Sequence, residues 1–285
     1  MDDTKKQKML TISKFTLWRI LVYFVIYSFL GFIIETIYGM ITKGVIESRQ
    51  SFLYGPFCGI YGLGAVTMIL SLNKFKDNNN QLFFGGFIVG SIIEYIVSFL
   101  GEIILHVKWW DYSDMPFNLN GRICVFFSVF WGFLAIYLIS YVNPKIDYLI
   151  NKISAKLSMK VLRFVTVFSI IFLLFDCMIT IFALDMFFTR KVYENNLNVA
   201  NRELIDIQYE EIYKNAKKAK FINKFFYDKK MIKTFPNLKL EDLEGNIIYF
   251  KDYVGDIKPY YYKFKAPLGG KIIDVGENLI NSIKK

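Results

Sequence analysis

From Ile20 to Ile34 the chain carries no charged residue, and the apolar run continues past a single acid, Glu35, to Ile41. A helix needs roughly 20 mostly apolar residues to cross the hydrocarbon core of a bilayer. A run of this length is too long to sit inside an ordinary soluble core, so it commits the chain to a membrane. Four more stretches read the same way, which places spans at about 17–41, 53–72, 82–105, 123–142 and 163–188. The first is longer than the hydrophobic region of a signal peptide and no small-residue cleavage site follows it, so it reads as a retained helix. The expected fold is therefore an all-α integral membrane protein of about five transmembrane helices, followed by a small α+β extramembrane region. In a chain that is 54% hydrophobic and 18% aromatic, too few polar residues remain to cover a soluble surface of this size.

The lysines orient the spans. Lys5, Lys6, Lys8, Lys14 and Arg19 precede the first; Lys74 and Lys76 lie between the second and third; Lys145, Lys152, Lys156, Lys160 and Arg163 lie between the fourth and fifth. The opposite loops hold only Lys43, Arg49, Lys108 and Arg122. By the positive-inside bias the N-terminus is cytoplasmic, and five spans then put the C-terminal region outside. The chain divides into a basic cytoplasmic arm, 1–14, a transmembrane helical domain, 15–190, and a C-terminal extramembrane region, 191–285. The net charge of +10 belongs largely to residues that flank spans or lie in the tail, where anionic headgroups account for it. The partner this implies is the lipid bilayer, not nucleic acid.

An acid recurs inside two spans in nearly the same words. Gly31-Phe32-Ile33-Ile34-Glu35-Thr36-Ile37 is echoed by Gly90-Ser91-Ile92-Ile93-Glu94-Tyr95-Ile96, and each copy is followed by a loop ending at an arginine, Arg49 or Arg122. The unit is two spans long, so the duplication is a parallel two-helix repeat. A carboxylate within a span is costly and faces the bundle interior, with a partner or a function. Glu35, Glu94 and Asp176 are accordingly the candidate groups of a substrate or ion path, with Arg49 and Arg122 at its mouth, where a guanidinium suits carboxylate or phosphate. Ion pairs that set helix register, and arginines reaching to headgroups, explain the same residues equally well.

Secondary candidates are Glu102, His106 one turn later on the same face, and Asp111 in the loop beside Trp109 and Trp110. A lone histidine without a second His/Cys ligand at metal spacing does not indicate a metal. Cys58, Cys124 and Cys177 show no CxxC spacing and read as small buried hydrophobes. There is no GxSxG motif, and Gly269-Gly270-Lys271 lacks the spacing of a phosphate-binding loop. No catalytic residue, metal or cofactor is expected, and ATP is not used by this chain itself. The second span opens with Tyr54-Gly55-Pro56-Phe57-Cys58-Gly59-Ile60-Tyr61-Gly62, a composition that predicts a kinked or broken start and close helix approach. In the tail, 195–232 predicts one helix, Phe235-Pro236-Asn237 a break, and 238–264 a hairpin turning at Glu244-Gly245-Asn246.

Several of these pieces together resemble the bacterial family of multispan proteins known as ABC-transporter type IV permeases. They are Tyr27-Ser28-Phe29-Leu30-Gly31 with Glu35, Phe52-Leu53-Tyr54-Gly55-Pro56-Phe57-Cys58 with Ile60-Tyr61-Gly62, and Trp109-Trp110-Asp111-Tyr112-Ser113 with Asn118-Leu119-Asn120-Gly121-Arg122-Ile123-Cys124. Gly59 stands where the family pattern has proline, and Ser48-Arg49-Gln50 where it has an Asn-Arg-Gly-like turn. The resemblance implies a multi-pass protein of the bacterial cytoplasmic membrane, a permease role and a separate ATPase subunit as partner. The loops at 73–81 and 143–160 are short and lysine-rich and do not read as the coupling segment of an import permease. Three functions follow for test: a transport component with an acidic polar path, a membrane scaffold whose tail recruits envelope proteins, and an intramembrane enzyme acting on a lipid-linked substrate. Each is compatible with assembly as a homo-oligomer.

Overall fold

The computed structural model describes residues 16–105 and 108–255. Among the described residues nine stretches form α-helix: α1 (Leu17–Lys43), α2 (Gly59–Leu72), α3 (Asn79–Leu105), α4 (Val125–Tyr137), α5 (Asn143–Ser154), α6 (Met159–Glu194), and in the tail α7 (Arg202–Tyr213), α8 (Ala216–Phe225) and α9 (Asp228–Thr234), with a π-turn, Leu138–Val142, joining α4 to α5. Among the described residues four helices are long and apolar enough to span a membrane: α1, α3, the continuous Val125–Ser154 helix and α6. The second expected span, 53–72, is shorter than the sequence suggests. Its 14 residues reach only about 21 Å at the helical rise, because the backbone from Leu53 to Cys58 is not helical. Pro56 and Gly55, the latter at φ 79°, are the local cause.

The described residues form two compact units. The first comprises 16–31, 57–95 and 123–175, and its core gathers Tyr23, Tyr27, Met68, Ile69, Leu72, Leu82, Trp131, Ala135 and Leu138. In lipid the tails are as apolar as leucine, so helices associate through close fit rather than through exclusion of water. The fit here is made by small residues. A methyl placed on Gly90 would come within 2.5 Å of the Trp131 side chain, and Ser91 donates a buried 2.7 Å hydrogen bond to Ser128. Gly31 lies against the Tyr61 side chain in the same way. The two repeated glycines thus each receive an aromatic ring from the next long-range partner helix, and those two rings meet, Tyr61 and Trp131, with centroids 6.0 Å apart.

Pro144 at the start of α5 has no N–H and crowds the carbonyl four residues earlier. The π-turn absorbs that conflict, so the Val125–Ser154 helix continues without a break.

The second unit comprises 32–56, 96–105, 108–122 and 176–255. Its core is built around the end of α6, where Leu184, Phe187, Phe188 and Val192 pack with Met231, Phe235, Leu238 and Phe250. The tail helix expected over 195–232 is divided in three. Asn215 interrupts it by accepting the backbone N–H groups of Lys217 and Lys218 at 3.0 and 3.2 Å, which caps α8. Of the hairpin expected over 238–264, residues 256–264 lie outside the described residues; within the rest, Lys239–Glu241 pairs antiparallel with Ile247–Tyr249, and Gly245 takes φ 83° in the turn. Two further two-residue strands, Asn118–Leu119 and Ile123–Cys124, flank Arg122. Large apolar side chains along α6, Phe164, Phe168, Ile171, Leu174, Phe175 and Met178, are exposed. In a helix of this length that is the surface presented to lipid.

Candidate functional site

Asp176 is fully buried on α6, and its partners lie in the non-helical segment before α2. Its two carboxylate oxygens accept the backbone N–H of Tyr54 at 3.1 and 3.2 Å. Thr180, one turn further along α6, donates to Asp176 at 3.4 Å and accepts the N–H of Leu53 at 2.7 Å. Leu53 and Cys58 are buried. Irregular backbone at membrane depth is tolerated only where its freed polar groups meet protein or water. Asp176 and Thr180 supply those acceptors, so one acid and one hydroxyl spaced i, i+4 hold the loop that opens the second span.

Glu94 is buried on α3 and accepts the indole N–H of Trp131 at 2.9 Å. The same Trp131 side chain packs on Gly90. The glycine and the acid of the repeated motif, one turn apart, therefore grip one tryptophan, the first by shape and the second by hydrogen bond. Glu35, the equivalent acid of the first copy, is half-buried on α1 and belongs to the second unit.

Arg49 and Arg122 are each paired with a neighbouring carboxylate. Arg49 donates to Glu47 at 2.8 Å, and Glu47 also takes Lys43 at 3.1 Å. The Arg49 guanidinium lies along Gly39, where a methyl would stand 3.0 Å from Nη2. Its Nε is buried without a hydrogen-bond partner. Arg122 forms an ion pair with Glu102 and lies 5.4 Å from the Phe99 ring centre, so these two candidates are brought together. His106 lies outside the described residues.

Asp111 organises the loop from Lys108 to Arg122. Its Oδ1 accepts the N–H and the hydroxyl of Ser113 at 3.0 and 2.6 Å. Asn118 ties the far side, donating to the carbonyls of Ser113 and Met115 and accepting the N–H of Gly121. Burial works to raise the Asp111 carboxyl, but the Ser113 hydrogen bonds, with Lys108 and Lys239 nearby, outweigh it and hold the group below the usual carboxylate range. Gly121 has φ 65°, and a methyl there would lie 2.5 Å from the Ser113 hydroxyl. The tryptophan-rich motif is thus a closed, internally bonded turn, with Trp110 donating to the Arg122 carbonyl at 3.0 Å.

Two polar clusters have no counterpart in the sequence reading. In the first unit, Arg19, Tyr23 and Tyr27 on α1 face Asn151, Asp147 and Asn143 on α5. Arg19 pairs with Asp147 at 2.9 Å and reaches Asn151 at 3.1 Å, Tyr23 donates to Asp147, and Tyr27 donates to Asn143 at 2.9 Å. Both triplets repeat every four residues, a signal present in the sequence but camouflaged by the surrounding aromatics and lysines. In the second unit Arg190 and Lys191, both buried at the end of α6, share the carboxylate of Asp228. Arg190, Glu194, Asn223, Tyr227 and Asp228 line an open cavity of about 430 Å³. Among the described residues no group of three or more His, Cys, Asp or Glu is placed to hold a metal ion.

Comparison with known proteins bears on what these clusters serve. No curated protein and no solved structure matches the chain. A family model described as Putative ABC-transporter type IV matches residues 22–181, more than half of the chain. The match runs from α1 to α6 and takes in Glu35, Arg49, Glu94, Arg122, Asp176 and Thr180, while the tail lies beyond it. With several helices long and apolar enough to cross a bilayer, this is a multi-pass membrane protein, and it belongs to the family described as Putative ABC-transporter type IV.

Proposed function

We propose that this chain is the membrane-spanning component of a transporter in the bacterial cytoplasmic membrane, powered by a separate ATPase subunit. The observation that carries the reading is the interrupted start of α2: a non-helical segment in which Leu53 and Cys58 are buried, with the Tyr54 amide held by the carboxylate of Asp176 and the Leu53 amide by Thr180. Transporters build polar sites inside hydrocarbon from discontinuous helices of this kind, because unwound backbone supplies polar groups where continuous helix has none to spare. In this reading Asp176, Glu35, Arg49 and Arg122 are the charged groups of the second unit that a solute meets, and Glu94 is that of the first. The lysine distribution makes the N-terminus cytoplasmic, and counting the segment 53–72 as a fifth crossing puts the tail outside.

The experiment is purification of the tagged full chain in mild detergent, followed by mass spectrometry and ATPase assay of the reconstituted complex. A stoichiometric partner bearing a Walker A motif, with ATP turnover that depends on this chain, is the expected result. Recovery of the chain alone, under conditions that keep other such complexes intact, overturns the ATP-driven reading. Glu35→Gln and Glu94→Gln then test the path: both proteins should accumulate in the membrane and lose activity.

A second reading has one observation in its favour. The described part of the tail packs onto the end of α6, with Met231, Leu238 and Phe250 in one core with Phe187, which suits a scaffold that recruits envelope proteins. Removing 195–285 would then abolish function while Glu35→Gln leaves it intact.

A further inference from the structure

We propose that α8 is an interfacial helix that docks on an anionic lipid surface, extending the membrane contact of the spans into the tail. The starting point is a run of aromatic contacts that begins on the lipid-facing surface of α6. Phe182, exposed on α6, meets Phe226 edge-on with ring centres 5.7 Å apart. Phe226 in turn lies 6.0 Å from Phe221, and Phe221 lies 4.9 Å from Phe225. Phe221 and Phe225 remain 51% and 40% exposed, although they stand one helical turn apart on a helix whose Ile222 is buried in the tail. The exposed Phe221–Phe225 edge is therefore linked to the exposed Phe182 of α6 through the buried ring of Phe226.

The charge on α8 fits the same occupant. At 100° per residue, Lys217, Lys220 and Lys224 form one strip beside the Phe221–Phe225 edge, and Ile222 lies on the other side of that edge. Lys224 sits over the Phe225 ring at 5.3 Å. Lys230, just beyond the helix, lies over the ring of Tyr54 at 4.7 Å and donates to its hydroxyl at 3.3 Å, which ties this region to the loop that leads into α2. Aromatic side chains at headgroup depth, flanked by lysines that reach the phosphates, are the pattern of a helix lying in the interface.

Hydrogen exchange of the intact protein, reconstituted as one copy per nanodisc, tests the proposal. Discs of phosphatidylcholine alone are compared with equimolar phosphatidylcholine and phosphatidylglycerol. Amides of residues 216–225 should exchange several-fold more slowly in the anionic discs, and high salt should remove the difference. Each lysine at an anionic surface strengthens binding by about fivefold, so the triple change Lys217→Glu, Lys220→Glu and Lys224→Glu should abolish the protection without altering exchange in α3 or α6. Phe221→Ser with Phe225→Ser should do the same through the apolar edge. Equal exchange in the two kinds of disc overturns the proposal. So does protection that appears only with two copies per disc, which would assign the face to self-association.

Discussion

Asp176 on α6 accepts the backbone N–H of Tyr54 with both carboxylate oxygens, at 3.1 and 3.2 Å, across 122 residues of sequence. Its role in the fold and its candidacy in transport can be separated by replacing it in two ways. Asp176→Asn keeps an acceptor for the Tyr54 amide, whereas Asp176→Leu leaves that part-buried bond unmade, at a cost of about 1–3 kcal/mol. Thermal melting of detergent-purified protein should show Asp176→Leu clearly destabilised and Asp176→Asn close to wild type. Loss of transport in the folded Asp176→Asn protein would then report on the charge itself.

The glycine of the second repeat makes a sharper stability test. Gly90→Ala forces a methyl to within 2.5 Å of Trp131, and overpacking of this kind costs about 1–3 kcal/mol. Gly64→Ala, where a methyl meets nothing within 4 Å, should be neutral or slightly stabilising through helix propensity. Membrane accumulation and melting of the two variants, side by side, check this.

Breaking the Arg122–Glu102 pair should be more damaging than exchanging its members. Both side chains are mostly covered, 16% and 21% exposed. Glu102→Gln therefore strands a desolvated guanidinium, which costs up to about 3 kcal/mol. The exchange Glu102→Arg with Arg122→Glu should recover part of the loss in a double-mutant cycle. An additive cycle would show that the pair is not coupled.

Acid should loosen the loop from Lys108 to Arg122 through Asp111. Its carboxyl is held below the reference value of 3.8 in the folded protein, so its contribution is fully present above that pH. That contribution is lost as the pH falls through the lower, folded value. Proteolysis within residues 112–121 should accelerate below about pH 3.8. Asp111→Asn should show the faster cleavage already at neutral pH, with little further change on acidification.

Much of the fold was legible before any coordinates. Spans one and three appear close to the bounds of their apolar runs, whereas span four continues through Asn143–Ser154, read in the sequence as part of a loop, and span five extends to Glu194; the Glu244–Asn246 turn joins two strands as its composition predicts. The second span was legible only in part. Pro56 and the glycines announced a broken start, but how much of the segment stays non-helical depends on whether its amides find partners, and those partners are Asp176 and Thr180 on another helix. The tail's first division, before α8, turns on one capping side chain, Asn215, and its second lies at Phe226 and Tyr227, where the backbone leaves the helical region.

The candidate residues divide along the same line. That Glu35, Glu94 and Asp176 are expensive in hydrocarbon follows from the length of the apolar runs around them, and run length is a local property of the chain. That Glu94 holds the indole of Trp131, that Arg122 meets Glu102, and that Arg19, Tyr23 and Tyr27 find Asp147, Asn143 and Asn151 depends on which helix faces meet and in what register. The sequence by itself determined that this protein spans a membrane and where its costly groups lie. The tertiary structure alone decided which partners satisfy them, because a buried polar group takes whatever donor or acceptor the packing brings within about 3 Å.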